Sequence, residues 1–107
     1  MTEEIRVVRP RGRLDGSAAP GLEKELLDHI ERGERRLLLD FADLTYISSS
    51  GLRVLLLAAN RMRAAGGRFA LCSLSPPIGE VIEISGFSKM LDIHPSFADA
   101  EAGLSAA

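Results

Sequence analysis

The fold of this chain is decided by residues 36–67, which read RLLLDFADLTYISSSGLRVLLLAANRMRAAGG. Residues 36–41 are mostly apolar without polar alternation, which is typical of a strand buried on both faces. After a polar turn at 46–51, residues 52–65 carry apolar side chains at helical spacing. The stretch therefore predicts a central strand, a turn, and a central helix that packs one face on a sheet. The residues of that predicted face are Leu52, Leu55, Leu56, Ala59 and Met62.

Three consecutive serines, Ser48, Ser49 and Ser50, stand directly before this helix. A serine at the N-cap accepts hydrogen bonds from amides that have no partner within the helix. The same free amides and the positive end of the helix dipole favour a phosphate, and phosphorylation adds roughly 1.5 to 2 negative charges. The serines therefore have two interpretations, as simple cap and turn residues or as a phosphorylation switch that acts on a partner.

Length and composition indicate one domain spanning residues 1–107. A net charge of −2 argues against nucleic acid as a direct partner, because phosphate contacts favour a basic face. The arginines at positions 6, 9, 11 and 13 are interpreted as a solvated strand face, with a docking patch as the alternative. The chain has no apolar run long enough for membrane insertion and begins with an acidic segment unlike a signal peptide. We therefore expect a cytoplasmic protein.

The remaining segments alternate between strand and helix, which predicts an α/β fold with right-handed crossovers and a largely parallel sheet. Loops at the carboxyl ends of parallel strands share one edge, so we expect Asp15, the serine turn and residues 73–77 to be neighbours. In chain order the predicted segments are a strand at 5–8, a loop at 12–16, a helix at 18–32 with Ser17 as N-cap, a turn at 43–45, a strand at 68–73, a helix from Pro76 to Gly86, a connector at 87–91, a strand at 92–94, and a helix capped by Ser96 and Asp99.

Catalytic and metal-binding patterns are missing from the sequence. A phosphate-binding loop needs glycines ahead of a Lys-Ser or Lys-Thr pair, and a hydrolase elbow needs Gly-x-Ser-x-Gly. The two histidines, His29 and His94, are far apart, and Cys72 is the only cysteine, so neither residue type supports a metal site. Asp92 and His94 would share a strand face, which packing explains as well as catalysis. We therefore predict a binding protein that is not an enzyme and needs no cofactor.

Residues 39–52, LDFADLTYISSSGL, resemble the signature of the STAS domain family, which includes the bacterial anti-anti-sigma factors, or anti-sigma factor antagonists. Residues 12–15, GRLD, and 84–91, ISGFSKML, resemble two further segments of that family in the same order. The three segments together extend over nearly the whole chain. The resemblance implies the STAS fold, a central four- to five-stranded, mostly parallel mixed sheet with about four helices.

The resemblance also implies a switch. In this family an unphosphorylated antagonist binds an anti-sigma factor that is also a serine kinase, which releases the sigma factor. Phosphorylation of a serine at the start of the central helix ends that binding, and a PP2C-type phosphatase restores it. Carried over to this chain, the phosphorylated serine is Ser49 and the kinase interface includes Asp15. The implied partner-binding residues are Asp15, Ser48, Ser49, Ser50, Gly51 and Arg53.

Two departures from the family pattern leave alternatives open. Ser48 stands where the family often has an aspartate, so Ser48 and Ser50 remain alternative phosphorylation sites. The segment before Gly12 is short, so the first strand of the usual hairpin is expected to be missing or frayed, exposing a sheet edge that favours a dimer. We therefore expect a monomer or a weak homodimer. The alternative function is a STAS adaptor subunit of a transport or stress-sensing assembly that is not phosphorylated.

Overall fold

The computed structural model describes residues 4–105, which form parallel strands enclosed by helices. The predicted α/β class is confirmed, and four α-helices lie within the described range. In chain order the elements are β1 (Arg6–Val8), β2 (Gly12–Leu14), α1 (Ala19–Glu31), β3 (Arg36–Asp40), β4 (Leu44–Ile47), α2 (Ser49–Ala64), β5 (Arg68–Cys72), α3 (Pro76–Ser85), a 3₁₀ turn (Ser88–Met90), β6 (Asp92–His94) and α4 (Phe97–Ser105).

The strands form a four-stranded sheet in the order β1-β3-β5-β6 and a separate two-stranded sheet of β2 and β4. Every strand pair within residues 4–105 is parallel. The parallel pairing agrees with the prediction of a mostly parallel sheet. In the register of the larger sheet, Leu38 lies between Val7 and Ala70. This arrangement places the central strand β3 in the middle of the fold, directly before the segment that leads to the serines.

Three details of the predicted strand pattern are wrong. The predicted loop at 12–16 contains strand β2, and strand β4 includes residues from both predicted turns, at 43–45 and 46–51. The first strand is neither missing nor frayed, because β1 pairs with β3 along its whole length. The short strands β2 and β4 carry turn-type residues at or beside their starts, and they are stabilised by pairing with each other across about 30 residues of sequence.

The predicted N-cap of α1 is also wrong. The helix begins at Ala19 with Ala18 in the N-cap position, and Ala18 makes no side-chain hydrogen bond. The carboxylate of Asp15 instead accepts hydrogen bonds from the backbone amides of Ser17 and Ala18. An aspartate two or three residues ahead can satisfy such amides through an Asx-type turn, which local sequence patterns do not distinguish from a serine cap.

Residues of β3 and β5 point alternately to two hydrophobic clusters, as the two-residue period of a strand requires. Leu37 and Leu39 join the large cluster with α1, α2 and α3, whereas Leu38 joins a smaller cluster with α4. All three leucines are fully buried. The prediction that this strand is covered on both faces is confirmed.

Helix α2 is buried over a wider face than its apolar spacing predicts. Leu52, Leu55 and Met62 are buried as predicted, and Leu56 and Ala59 pack against the core while partly exposed. Val54 and Ala58 are also buried. Since α1 packs on α2 while α2 packs on β5, the helix is covered on two sides. This packing fixes the position of its first turn.

Candidate functional site

The turn from β4 into α2 is attached to the end of β2 through Ser48. The Ser48 backbone amide donates a hydrogen bond to the Leu14 carbonyl oxygen at 2.9 Å, and its hydroxyl donates to the same oxygen at 3.2 Å. The hydroxyl oxygen also accepts from the Gly51 amide at 3.3 Å, with Ser48 in the N-cap position of the helix. Ser48 therefore connects β2 to the first turn of α2, and its side chain has a structural role.

Gly51 faces Leu14 so closely that a side chain in its place would force its neighbours to shift. A Cβ atom at this position would stand 2.8 Å from the Leu14 side chain and 2.9 Å from the Leu14 carbonyl oxygen. It would also stand 2.9 Å from the side chain of Ile47. The glycine of the Ser-Ser-Ser-Gly run is therefore required by the close approach of α2 to strand β2.

The structure gives the other two serines different environments. Ser49 begins α2 with its side chain exposed, and its hydroxyl has no hydrogen-bond partner within residues 4–105. Ser50 is half-buried, and its Oγ lies 3.9 Å from where a Cβ on Gly16 would stand. One serine thus caps the helix, one lies against the loop after β2, and one offers a free hydroxyl to solvent.

Asp15 follows β2 directly and belongs to the same edge as the serine turn, as the sequence predicted. Its Oδ1 accepts hydrogen bonds from the Ser17 hydroxyl at 2.7 Å and from the amides of Ser17 and Ala18 at 3.0 and 3.1 Å. The Ser17 hydroxyl, then the two amides and the nearby charge of Arg13, hold the pKa of Asp15 below its ordinary value against a smaller opposing effect of desolvation. Asp15 is therefore a fixed negative charge at neutral pH.

Arg13 and Tyr46 form an exposed stack beside Asp15 that the sequence analysis missed. They are paired residues in the β2–β4 register, and the guanidinium carbon lies 4.1 Å from the centre of the tyrosine ring. The Arg13 Nε also lies 3.9 Å from Asp15 Oδ2. Only the pairing of β2 with β4 could have revealed this contact, and the sequence pattern indicated neither strand.

The other N-terminal arginines with described contacts are dispersed rather than gathered on one face. Arg6 pairs with Glu34 at 2.7 Å, in front of the β3 strand. Arg9 pairs with the buried Asp40 at 3.1 Å, near the opposite end of that strand. Arg6 connects β1 to the segment before β3, and Arg9 connects the segment after β1 to the end of β3. The two side chains therefore do not form one solvated face.

Arg53 lies on the exposed side of α2, four residues after Ser49. It makes no hydrogen bond, ion pair or ring contact with any residue in the range 4–105.

The expected third loop, at 73–77, leads into α3, which packs against β4. The structure thus brings Asp15, the three serines and Gly51 together, with Arg53 one helical turn further along α2.

The remaining titratable candidates are accounted for by packing. His94 Nε2 lies 3.0 Å from Asp92 Oδ1, and the imidazole ring lies so close to Gly103 that a Cβ there would stand 2.9 Å from it. Cys72 is buried, and burial raises the pKa of its thiol. Across residues 4–105, no three histidine, cysteine, aspartate or glutamate side chains gather closely enough to hold a metal ion. In that same range, no helix combines the length and apolar character needed to span a membrane.

The described residues form an α/β domain in which the start of α2 lies beside the segment that carries Asp15. Comparison with known proteins identifies its family, because the STAS domain model matches residues 1–100. The chain therefore belongs to the STAS domain family, which confirms the resemblance found in the sequence and agrees with the prediction of a binding protein rather than an enzyme.

Three similar proteins illustrate the relationship. The candidate anti-sigma factor antagonist BtrV of Bordetella bronchiseptica is 45% identical over 96 residues, covering 90% of this chain and 80% of BtrV. The structure of an anti-sigma factor antagonist from Mycobacterium paratuberculosis superimposes with a TM-score of 0.87 at 22% identity, covering 99% of this chain and 92% of that one. The phosphorylated form of the Bacillus cell fate determinant SpoIIAA gives a TM-score of 0.72 at 25% identity, covering 95% and 92%.

Proposed function

We propose that this chain is an anti-sigma factor antagonist whose unphosphorylated form binds an anti-sigma factor serine kinase and so releases a sigma factor. Phosphorylation of Ser49 ends the binding, and a PP2C-type phosphatase restores it, in a cycle that runs in the cytoplasm. The observation that carries this proposal is the exposure of Ser49, whose hydroxyl has no partner within residues 4–105, in contrast to the engaged hydroxyl of Ser48 and the half-buried side chain of Ser50. The names of relatives such as BtrV support the antagonist role.

The position of Ser49 explains how a phosphate could act on a partner without disturbing the fold. The cap of α2 is supplied by Ser48, and the buried contacts of this turn are made by Gly51 and Leu52. A phosphate on the exposed Ser49 therefore displaces no core contact. It adds roughly 1.5 to 2 negative charges next to the anionic Asp15, which repels acidic side chains or bound ATP phosphates of a kinase.

We propose that the kinase contacts the face formed by Asp15, the serine turn and the exposed part of α2. Phosphorylation places its charge in the middle of this face, so binding should be lost through repulsion at the interface. The proposed docking residues are Asp15, Ser48, Ser49, Ser50 and Arg53, together with Gly51, which is buried and supports the turn from beneath.

The first test is phosphopeptide mass spectrometry after incubation with cytoplasmic extract of the host and ATP. We expect a single phosphate on Ser49 that disappears in Ser49→Ala and persists in Ser105→Ala, a control at an exposed serine of α4 outside the proposed docking face. A phosphate retained in Ser49→Ala would contradict the assignment. The second test is capture of the kinase from the same extract, which Ser49→Ala should retain and Ser49→Asp should lose. Equal capture by both variants would contradict the switch.

A second candidate function is an adaptor subunit of a larger assembly that uses the STAS domain for docking alone. The observation that favours it is a group of exposed apolar side chains around α3 and β6, with Ile84 85% and Met90 58% exposed. Val81 and Ile93 lie on the same two elements and are also exposed. A stable partner together with no phosphate on residues 48–50 would favour this function over the switch.

A further inference from the structure

Arg53 is a cation without a described counter-ion, one helical turn from the proposed phosphorylation site. Residues four apart on a helix have Cβ atoms about 5–6 Å from each other, so Arg53 lies beside Ser49. Both side chains are exposed, and the first turn of α2 contains no acidic residue that would compete for the guanidinium. Arg13, on the neighbouring strand β2, is by contrast already engaged with Tyr46 and Asp15.

We propose that Arg53 is the intramolecular counter-ion of a phosphate on Ser49. This inference rests on the proposed function, because it requires Ser49 to be the phosphorylated residue. An acidic group four residues ahead of a basic one is the favourable order for such a pair on a helix. A guanidinium also binds phosphate through charge-assisted hydrogen bonds that can be bidentate, which a single ammonium group cannot reproduce.

The pair gives phosphorylation a second effect on the docking face. In the unphosphorylated form, the Arg53 guanidinium is free to bind an acidic group of the kinase. In the phosphorylated form, the phosphate occupies that guanidinium. Phosphorylation therefore removes an attractive contact while it adds a repulsive charge, and both changes weaken the same interface.

The test uses protein with phosphoserine installed at position 49 during translation, so that no kinase is needed. The second pKa of the phosphate, ordinarily about 6, is measured by ³¹P NMR titration. We expect Arg53→Gln to raise this pKa by roughly 0.2 to 0.4 unit, because the guanidinium favours the dianion. Arg53→Lys keeps the positive charge but loses the planar guanidinium group. Its phosphate pKa should therefore lie between those of the wild type and Arg53→Gln.

Arg61→Gln is the matched control, since Arg61 is an exposed arginine on the same helix. Arg61 lies about 18 Å from Ser49 along the helix axis, which is more than the Debye length of about 8 Å at physiological salt. The Arg61→Gln substitution should therefore leave the phosphate pKa unchanged. Equal values for the wild type and Arg53→Gln, or an equal shift in Arg61→Gln, would overturn the pairing. If the proposed function fails, Ser49 stays unphosphorylated after treatment with extract. The titration uses phosphoserine installed during translation, so its result does not depend on that outcome.

Discussion

The two ends of helix α2 both meet the rest of the fold through a glycine with no room for a side chain. At the start, a Cβ on Gly51 would stand 2.9 Å from the Leu14 carbonyl oxygen. Just beyond the end, a Cβ on Gly67 would stand 2.7 Å from the Arg35 carbonyl oxygen and 3.0 Å from the Met62 side chain. The local packing problem is therefore the same at both ends, and glycine solves it in the same way.

The ends differ in what they present to solvent. The end of the helix is completed by Gly66 in the left-handed region and by backbone hydrogen bonds, and the chain continues directly into β5. The start presents the exposed Ser49 and, one turn later, the exposed Arg53, neither of which has a side-chain partner within residues 4–105. Packing explains both glycines and the Ser48 cap but gives no reason for a serine at position 49. That residue is where a functional explanation is needed.

The largest expected effect concerns the closely packed glycine that each end of α2 has. Gly51→Ala and Gly67→Ala each place a methyl group within 3 Å of a backbone oxygen, so each should lower the free energy of unfolding by about 1–3 kcal/mol. Gly79→Ala is the control, because a Cβ there has open space within a helix and should be neutral or stabilising by up to about 1 kcal/mol. Urea denaturation of the three variants measures these differences.

A result in which Gly51→Ala matches Gly79→Ala would show that β2 and α2 can separate at no cost. The glycine would then need an explanation other than packing. A loss confined to Gly51→Ala would instead show that the Arg35–Gly67 contact relaxes easily, and the two ends of the helix would no longer be equivalent.

The sequence predicted β3 and α2 because their signals are local and long. The uninterrupted apolar run of β3 and the helical spacing of α2 specify burial without knowledge of any partner. The strands β2 and β4 have three and four residues and depend on each other, so nothing local marks them. The Arg13–Tyr46 stack depends on that same pairing and was missed for the same reason.

The candidate site also has one part that the sequence predicts and another that depends on the folded structure. Three serines before a helix are enough to predict that one of them caps it, because the chemistry of helix ends is local. Their spacing cannot say which hydroxyl is free, since that depends on where the Leu14 carbonyl lies after folding. The structure answers this for Ser48, whose hydroxyl is hydrogen-bonded to the Leu14 carbonyl and the Gly51 amide. Of the other two serines, Ser49 is the more exposed.

The next effect separates the structural serine from its exposed neighbour. Ser48→Ala removes the cap of α2 and a hydrogen bond to β2, so it should lower the free energy of unfolding by about 1 kcal/mol. Ser49→Ala removes an exposed hydroxyl without a described partner and should change stability by less than about 0.5 kcal/mol. Thermal and urea unfolding of both variants check the difference. Equal losses would mean that Ser49 also supports the helix start, and its identity would then have a structural explanation.

The smallest effect concerns the carboxylate beside the start of α2. The pKa of Asp15 lies below its ordinary value, so its contribution to stability is present above the unfolded-state pKa and is lost as pH falls through the folded-state pKa. Ser17→Ala removes the largest cause of that shift and should raise the Asp15 pKa, measured by NMR titration of the side-chain carboxyl carbon. Asp28 is an internal control, because its pKa is lowered chiefly by Lys24 and should not move. Added salt should raise the Asp28 pKa more than that of Asp15, since exposed ion pairs are screened more than neutral hydrogen bonds. An Asp15 pKa unaffected by Ser17→Ala would mean that this carboxylate is held by its other contacts, the backbone amides and Arg13.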